Sequence, residues 1–104
     1  MKWGDEIEYM LVKFDQNRRV CRLKLGGEDI VAELNKEEIA ANAAGTSVDC
    51  LWRPEFASYM VEGTPGRPYG GMLAHFNLVE KNMRMRRQQM GRILVIVESG
   101  VSRF

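Results

Sequence analysis

The chain has 104 residues, a net charge of +1 and 45% hydrophobic residues, which is the size and composition of one modest globular domain. A charge this close to neutral favours no nucleic-acid partner. The longest strongly apolar run, Ile93–Val97, is far shorter than the roughly 20 residues that a membrane-spanning helix needs. We therefore expect a cytoplasmic domain with no targeting segment and no membrane partner, in which Cys21 and Cys50 are reduced thiols.

The first quarter of the chain alternates in the manner of a β-hairpin. Asp5–Phe14 is largely apolar on both faces, which predicts a central strand. After the turn-forming residues Asp15–Asn17, Val20–Leu25 alternates again and is predicted to be the antiparallel partner of the first strand. Its apolar face would hold Cys21, Leu23 and Leu25, and its wet face would hold Arg22 and Lys24.

A first helix is predicted from Ile30 to about Ala44. Asp29 precedes it and can cap its first turn, and Gly45 offers a stop at its end. Its apolar stripe is thin and consists of Ile30, Leu34 and Ala41.

Trp52–Gly71 holds two glutamates and all three prolines of the chain. Ser58–Glu62 alternates as a strand that ends at Gly63, which would place Glu62 at the strand end. The next residues, Thr64–Arg67, have the composition of a tight turn, and Pro68 with the following glycine pair is expected to prevent regular structure.

A second helix is predicted from Met72 to about Arg92. Its apolar stripe consists of Met72, Phe76, Val79, Met83 and Met90, at helical steps of three, four and seven. The opposite face holds Lys81, Arg84, Arg86 and Arg87, which we interpret as a solvated face in preference to a phosphate site. The residues from Gly91 onward fit either more helix or a short strand.

Four glutamates in this sequence could bind a cation. Glu6 and Glu8 share one face of the first predicted strand, with Cα atoms about 7 Å apart. Glu55 and Glu62 would converge only if the chain bends near Phe56–Ser58. Carboxylates are the ligands with which proteins hold Mg²⁺ beside substrate phosphates. Spacing alone leaves two interpretations open, a metal–nucleotide site and a solvated face.

Three segments carry a family resemblance: KWGDEIEYMLVKFD, LWRPEFASYMVEGTPGRPYGG and FNLVEKNMRMRRQ. Together they resemble the N-terminal part of the catalytic subunit of eukaryotic glutamate–cysteine ligase, also called γ-glutamylcysteine synthetase. The resemblance covers residues 2–89, while residues 90–104 depart from the family pattern. We therefore expect residues 1–104 to be a single partial catalytic domain, ending in an altered splice or gene-model end.

The resemblance implies an ATP- and Mg²⁺-dependent ligase that joins the γ-carboxylate of L-glutamate to L-cysteine, the first step of glutathione biosynthesis. It implies an α+β fold, with an antiparallel sheet and flanking helices similar to those of glutamine synthetase. Matched by motif, the metal ligands would be Glu6, Glu8, Glu55 and Glu62. Arg53 is a candidate substrate-binding residue.

Two hypotheses of function remain from the sequence. In the first, the chain carries part of the Mg²⁺–ATP site, and the isolated chain is inactive because the rest of the substrate pocket is missing. In the second, the chain is a non-enzymatic interaction module that pairs with full-length subunits or with the modifier subunit of the ligase.

Overall fold

The computed structural model describes the backbone of residues 1–101 and the side chains of residues 1–94. Its elements in chain order are β1 (Lys2–Trp3), β2 (Ile7–Met10), β3 (Val12–Asp15), β4 (Val20–Leu23), α1 (Gly27–Ala43), β5 (Cys50–Pro54), β6 (Met60–Pro65), β7 (Tyr69–Gly70) and α2 (Leu73–Val101). Every strand pair is antiparallel within the described residues. The predicted α+β arrangement, an antiparallel sheet with flanking helices, is confirmed.

The core lies between a three-stranded sheet and the two helices. The strand order is β2-β6-β5, with β6 in the centre. Alternate residues of these strands point into the core, among them Trp52 and Val61, which are almost fully buried. Ile30 of α1 and Met90 of α2 pack against them. These contacts lie on one face of the sheet; on the opposite face, here called the uncovered face, Glu8, Met10 and Arg53 are exposed.

The first strand prediction is wrong in two respects. Asp5–Phe14 is divided at Leu11, which is buried. The Leu11 N–H donates to the Tyr59 carbonyl (2.7 Å), and the Leu11 carbonyl accepts from the Lys24 N–H (2.8 Å), so that the chain leaves one sheet and enters another. The N-terminal piece, β2, is an edge strand and not a central one. The sequence of this strand is apolar on both faces because it includes Met10, which lies on the uncovered face and is 59% exposed.

The predicted hairpin forms, but both faces of its second strand are exposed. β3 pairs with β4 in the register Val12↔Leu23. Leu23 and Leu25 are 50% and 64% exposed, whereas Lys24, expected on the wet face, is only 4% exposed. The reason is that the hairpin contributes no residue to the hydrophobic core. Its alternation therefore does not report a buried side.

Helix α1 confirms the predicted apolar positions but starts earlier. It begins at Gly27, and Gly26, with φ of 98°, occupies the cap position without any side-chain cap bond. Asp29 lies inside the first turn, so the predicted Asp29 cap is wrong. Ile30 and Leu34 are buried as expected. Gly45, with φ of 72°, ends the helix in the left-handed conformation that glycine favours.

Helix α2 buries a different stripe from the predicted one. Met72, Phe76 and Met83 are exposed, whereas Arg86, assigned to the solvated face, is completely buried. The predicted Met90 is buried too. The helix continues to Val101, which decides the open question of the tail in favour of helix; residues 102–104 lie outside the described part. None of the helices described is long and apolar enough to cross a membrane.

The central stretch is more regular than predicted. β6 continues through Gly63 to Pro65, so Glu62 lies inside the strand and not at its end. The turn follows Pro65, because Thr64 and Pro65 still pair with β5. After the turn, Tyr69–Gly70 forms β7 and pairs with β1, where no regular structure was expected. The expected bend at Phe56–Ser58 does occur, between β5 and β6.

Candidate metal-binding site

The uncovered face of the sheet carries a row of charged residues. Glu8 of β2 lies directly opposite Glu62 of β6, and Arg53 of β5 lies opposite Glu62 on its other side. Directly opposed residues of antiparallel strands share a face. The strand register thus pairs two glutamates, and Glu6 lies immediately before β2, two residues from Glu8.

The electrostatics of Glu62 show that the fourth glutamate is also nearby. Burial raises the pKa of the Glu62 carboxyl, and the negative charges of Glu6, Glu55 and Glu8 raise it further. Arg53 acts in the opposite direction. Glu55 follows the end of β5, and the bend after it brings it towards β6. We call these four residues, Glu6, Glu8, Glu55 and Glu62, the carboxylate cluster.

The carboxylate cluster has the donor chemistry of a Mg²⁺ site but not a closed geometry. Oxygen ligands from several carboxylates suit a hard divalent cation, and mutual repulsion of this kind is relieved by a positive charge. Within residues 1–94, however, no three His, Cys, Asp or Glu side chains are close enough to hold one ion as they stand. The residues fit such a cation provided that side chains rotate, or that a substrate oxygen completes the shell.

Arg53 is engaged with α1. Its Nη1 and Nη2 donate to Glu38 Oε2 and Oε1, each at 2.9 Å, and Nη1 also donates to the Trp52 carbonyl at 2.7 Å. The hydrogen bond from Arg53 lowers the pKa of the Glu38 carboxyl. Sequence reasoning missed Glu38, and no local signal distinguishes it from the other glutamates of α1. A phosphate or carboxylate ligand would compete with Glu38 for this guanidinium.

A second set of polar residues lies behind the cluster, on the covered face. Arg86 Nη2 lies 2.9 and 2.8 Å from the two Asp5 oxygens, and Nη1 donates to the Gly63 carbonyl at 3.0 Å. The Tyr69 hydroxyl donates to Asp5 (3.0 Å), and burial together with this carboxylate raises the pKa of Tyr69 to about 12. The burial of Arg86 could have been inferred from its spacing, because Arg86 lies four residues before the buried Met90.

A cleft among the described residues lies away from the carboxylate cluster. It has a volume of about 560 Å³ and is lined in part by Asp49, Arg67, His75 and Lys81, with none of the predicted site residues. We place the candidate site at the carboxylate cluster because size alone does not supply chemistry, whereas four converging carboxylates do.

Comparison with known proteins identifies the family. The glutamate-cysteine ligase family model matches residues 1–102. The chain is 50% identical over 94 residues to the glutamate–cysteine ligase catalytic subunit of Homo sapiens, covering 90% of this chain and 14% of the human protein. It is 41% identical over 87 residues to glutamate–cysteine ligase of Candida albicans (83% of this chain, 12% of that protein) and 40% identical over 85 residues to that of Saccharomyces cerevisiae (82% and 12%). The chain spans 12–14% of the length of these relatives and belongs to the glutamate–cysteine ligase family.

Proposed function

We propose that this chain forms part of the Mg²⁺–ATP site of a glutamate–cysteine ligase, the enzyme that joins L-glutamate to L-cysteine in an ATP-dependent reaction at the start of glutathione biosynthesis. The proposal rests chiefly on one observation: the register of β2 and β6 places Glu8 directly opposite Glu62, whose pKa is raised further by the negative charges of Glu6 and Glu55. The family membership supplies the reaction, and the relatives carry its name. A cytoplasmic location and a sheet similar to that of glutamine synthetase belong to the same proposal.

In this proposal the carboxylate cluster holds Mg²⁺. When bound, the cation would neutralise negative charge as a phosphate of ATP approaches the γ-carboxylate of glutamate. The protein's own contribution is to present four carboxylates from three segments on one face, before any ligand arrives. Arg53 would stand at the edge of this face, where its guanidinium can leave Glu38 and take an anionic substrate group.

The proposal is tested in a complete catalytic subunit that carries this segment. Glu8→Gln should lower kcat by at least about 10²-fold, because removing one charge contact made in the transition state costs a few kcal/mol. Glu28→Gln, on an exposed residue of α1 outside the cluster, is the matched control and should leave kcat nearly unchanged. Equal losses in both variants would contradict the assignment of Glu8.

The isolated 104-residue chain is proposed to have no ligase turnover, since positioning by the rest of the pocket supplies much of the rate. Incubation with glutamate, cysteine, ATP and Mg²⁺ tests this directly. Production of γ-glutamylcysteine above a heat-denatured control would refute it.

A second candidate function is that of an interaction module for other ligase subunits, either full-length or modifier. The observation that favours it is a group of large exposed apolar side chains on α2, among them Leu73 and Phe76. Co-purification with a full-length catalytic subunit, lost in Phe76→Ser, would support this function. Absence of co-purification with the unmodified chain would argue against it.

A further inference from the structure

Arg86 connects β6 with the residues that lead into β2. Its Nη2 contacts both oxygens of Asp5, the residue before Glu6, and its Nη1 donates to the carbonyl of Gly63, the residue after Glu62. The Arg86 side chain has no exposed surface. One guanidinium therefore joins β6 to the residues just before β2, at the end of the β2–β6 pairing where Ile7 lies opposite Gly63.

This end of the sheet needs such a connection. β2 is an edge strand whose pairing with β6 covers four residues, and no strand within residues 1–101 lies on its other side. Glu8 and Glu62 are directly opposed, and like charges in that position destabilise a strand pair. The repulsion acts on the uncovered face. The contacts of Arg86 hold the same two strands together from the covered face.

We propose that Arg86 is a positioning residue, which holds β2 in register on β6 and so keeps Glu6 and Glu8 beside Glu62. As a statement about the ligand site, it rests on the proposed function. Tyr69 contributes through its hydrogen bond to Asp5, which fixes the carboxylate that Arg86 binds. Arg86 itself lies on the opposite side of the sheet from the cluster and does not bind the cation.

Amide hydrogen exchange in the 104-residue chain tests the connection without any ligand. In Arg86→Met, exchange of the Ile7–Met10 amides should accelerate by at least about tenfold relative to the Cys50–Pro54 segment, because hydrogen bonds to a charged group are lost on the β2 side. In Arg86→Lys, which keeps the positive charge, the Ile7–Met10 amides should regain part of their protection from exchange. Arg84→Met, on an exposed residue paired with Glu80, should change neither strand.

If Arg86 only stabilised the fold as a whole, its replacement would give a different pattern of amide exchange. Ile30→Val, a change in the hydrophobic core, is the control for a general loss of stability and should accelerate exchange in both segments alike. If Arg86→Met shows that uniform pattern, the proposal is overturned. Should Arg86→Met fail to fold, Arg86→Lys carries the same comparison, and uniform acceleration in it would overturn the proposal equally.

Binding of Mn²⁺, used as a probe for the divalent cation, separates this proposal from the proposed function. If Arg86 positions the cluster, Mn²⁺ affinity should fall by at least about tenfold in Arg86→Met while Ile30→Val retains it at a temperature where both are folded. Unchanged affinity in Arg86→Met would overturn the positioning role. Absence of Mn²⁺ binding in the unmodified chain would instead contradict the proposed function, and the exchange pattern would still decide whether Arg86 connects the strands.

Discussion

Replacing Glu62 by glutamine should stabilise the metal-free chain at neutral pH. Two effects disfavour the charged form of Glu62 in the folded chain. Its carboxylate is partly desolvated, and the charges of Glu6, Glu55 and Glu8 repel it. Glutamine keeps the size of the side chain and removes the charge. Arg53 loses little, because its guanidinium is already paired with Glu38.

The expected magnitude is small and has a definite sign. One like-charge pair directly opposed across two strands costs about 0.2–1 kcal/mol, and Glu62 is partly screened by solvent. In a chain of this size about 1 kcal/mol corresponds to about 4–8 °C, so Glu62→Gln should melt a few degrees higher at pH 7.

The pH dependence follows from the raised pKa of Glu62. Since the folded state favours the protonated form, the penalty is absent below the ordinary pKa of 4.5 and fully present above the raised pKa. The advantage of Glu62→Gln should therefore appear as the pH rises through that range and vanish in acid.

Thermal unfolding followed by circular dichroism from pH 4 to 7.5 measures this directly. Glu28→Gln is the control, because Glu28 lies in the first turn of α1, where a negative charge stabilises the helix; it should lose up to about 1 kcal/mol. A Glu62→Gln variant that melts below the unmodified chain at pH 7 would show that the four carboxylates do not repel one another as described.

Two further predictions concern packing and reactivity. Gly63→Ala should destabilise the chain by about 1–3 kcal/mol in chemical denaturation, because the added Cβ would lie 2.7 Å from Cζ3 of the buried Trp52. Gly4→Ala, whose Cβ meets nothing closer than 3.5 Å, should cost much less. Equal costs in the two variants would contradict the packing of Gly63 against Trp52. Burial raises the pKa of the Cys50 thiol to about 11. A thiol reagent at pH 8 should therefore label the exposed Cys21 and leave Cys50 unmodified until the chain unfolds. Equal labelling of the two cysteines in mass spectrometry would contradict the burial of Cys50.

Helix α1 was predicted well from the sequence because its apolar pattern depends on one helix–sheet contact. Ile30 and Leu34 were found because their four-residue spacing reports a single buried side of α1. The β3–β4 pairing was found because a turn joins two alternating runs. The predicted apolar face of that hairpin is exposed because its alternation is not set by a core. Periodicity shows that two faces differ, but it does not show that one of them is covered.

The errors in α2 and in the first strand have a tertiary cause. Arg86 was assigned to solvent by its charge, and its partner Asp5 lies 81 residues away in sequence, so no local pattern reveals the pair. The division of the first strand at Leu11 likewise depends on hydrogen bonds to Tyr59 and Lys24. The convergence of Glu8 and Glu62 was suggested by the family resemblance, and the strand register supplies its physical cause.

The central claim is that the uncovered face of the sheet binds a divalent cation through the carboxylate cluster. The most direct test is titration of Mn²⁺ into the chain with ¹³C-labelled glutamate carboxyls, followed by paramagnetic broadening of each assigned resonance. We predict that Glu6, Glu8, Glu55 and Glu62 broaden first and together, while exposed glutamates such as Glu28 remain sharp until excess Mn²⁺ is present. Broadening of all exposed glutamates in parallel, or no preference for these four, would contradict the account.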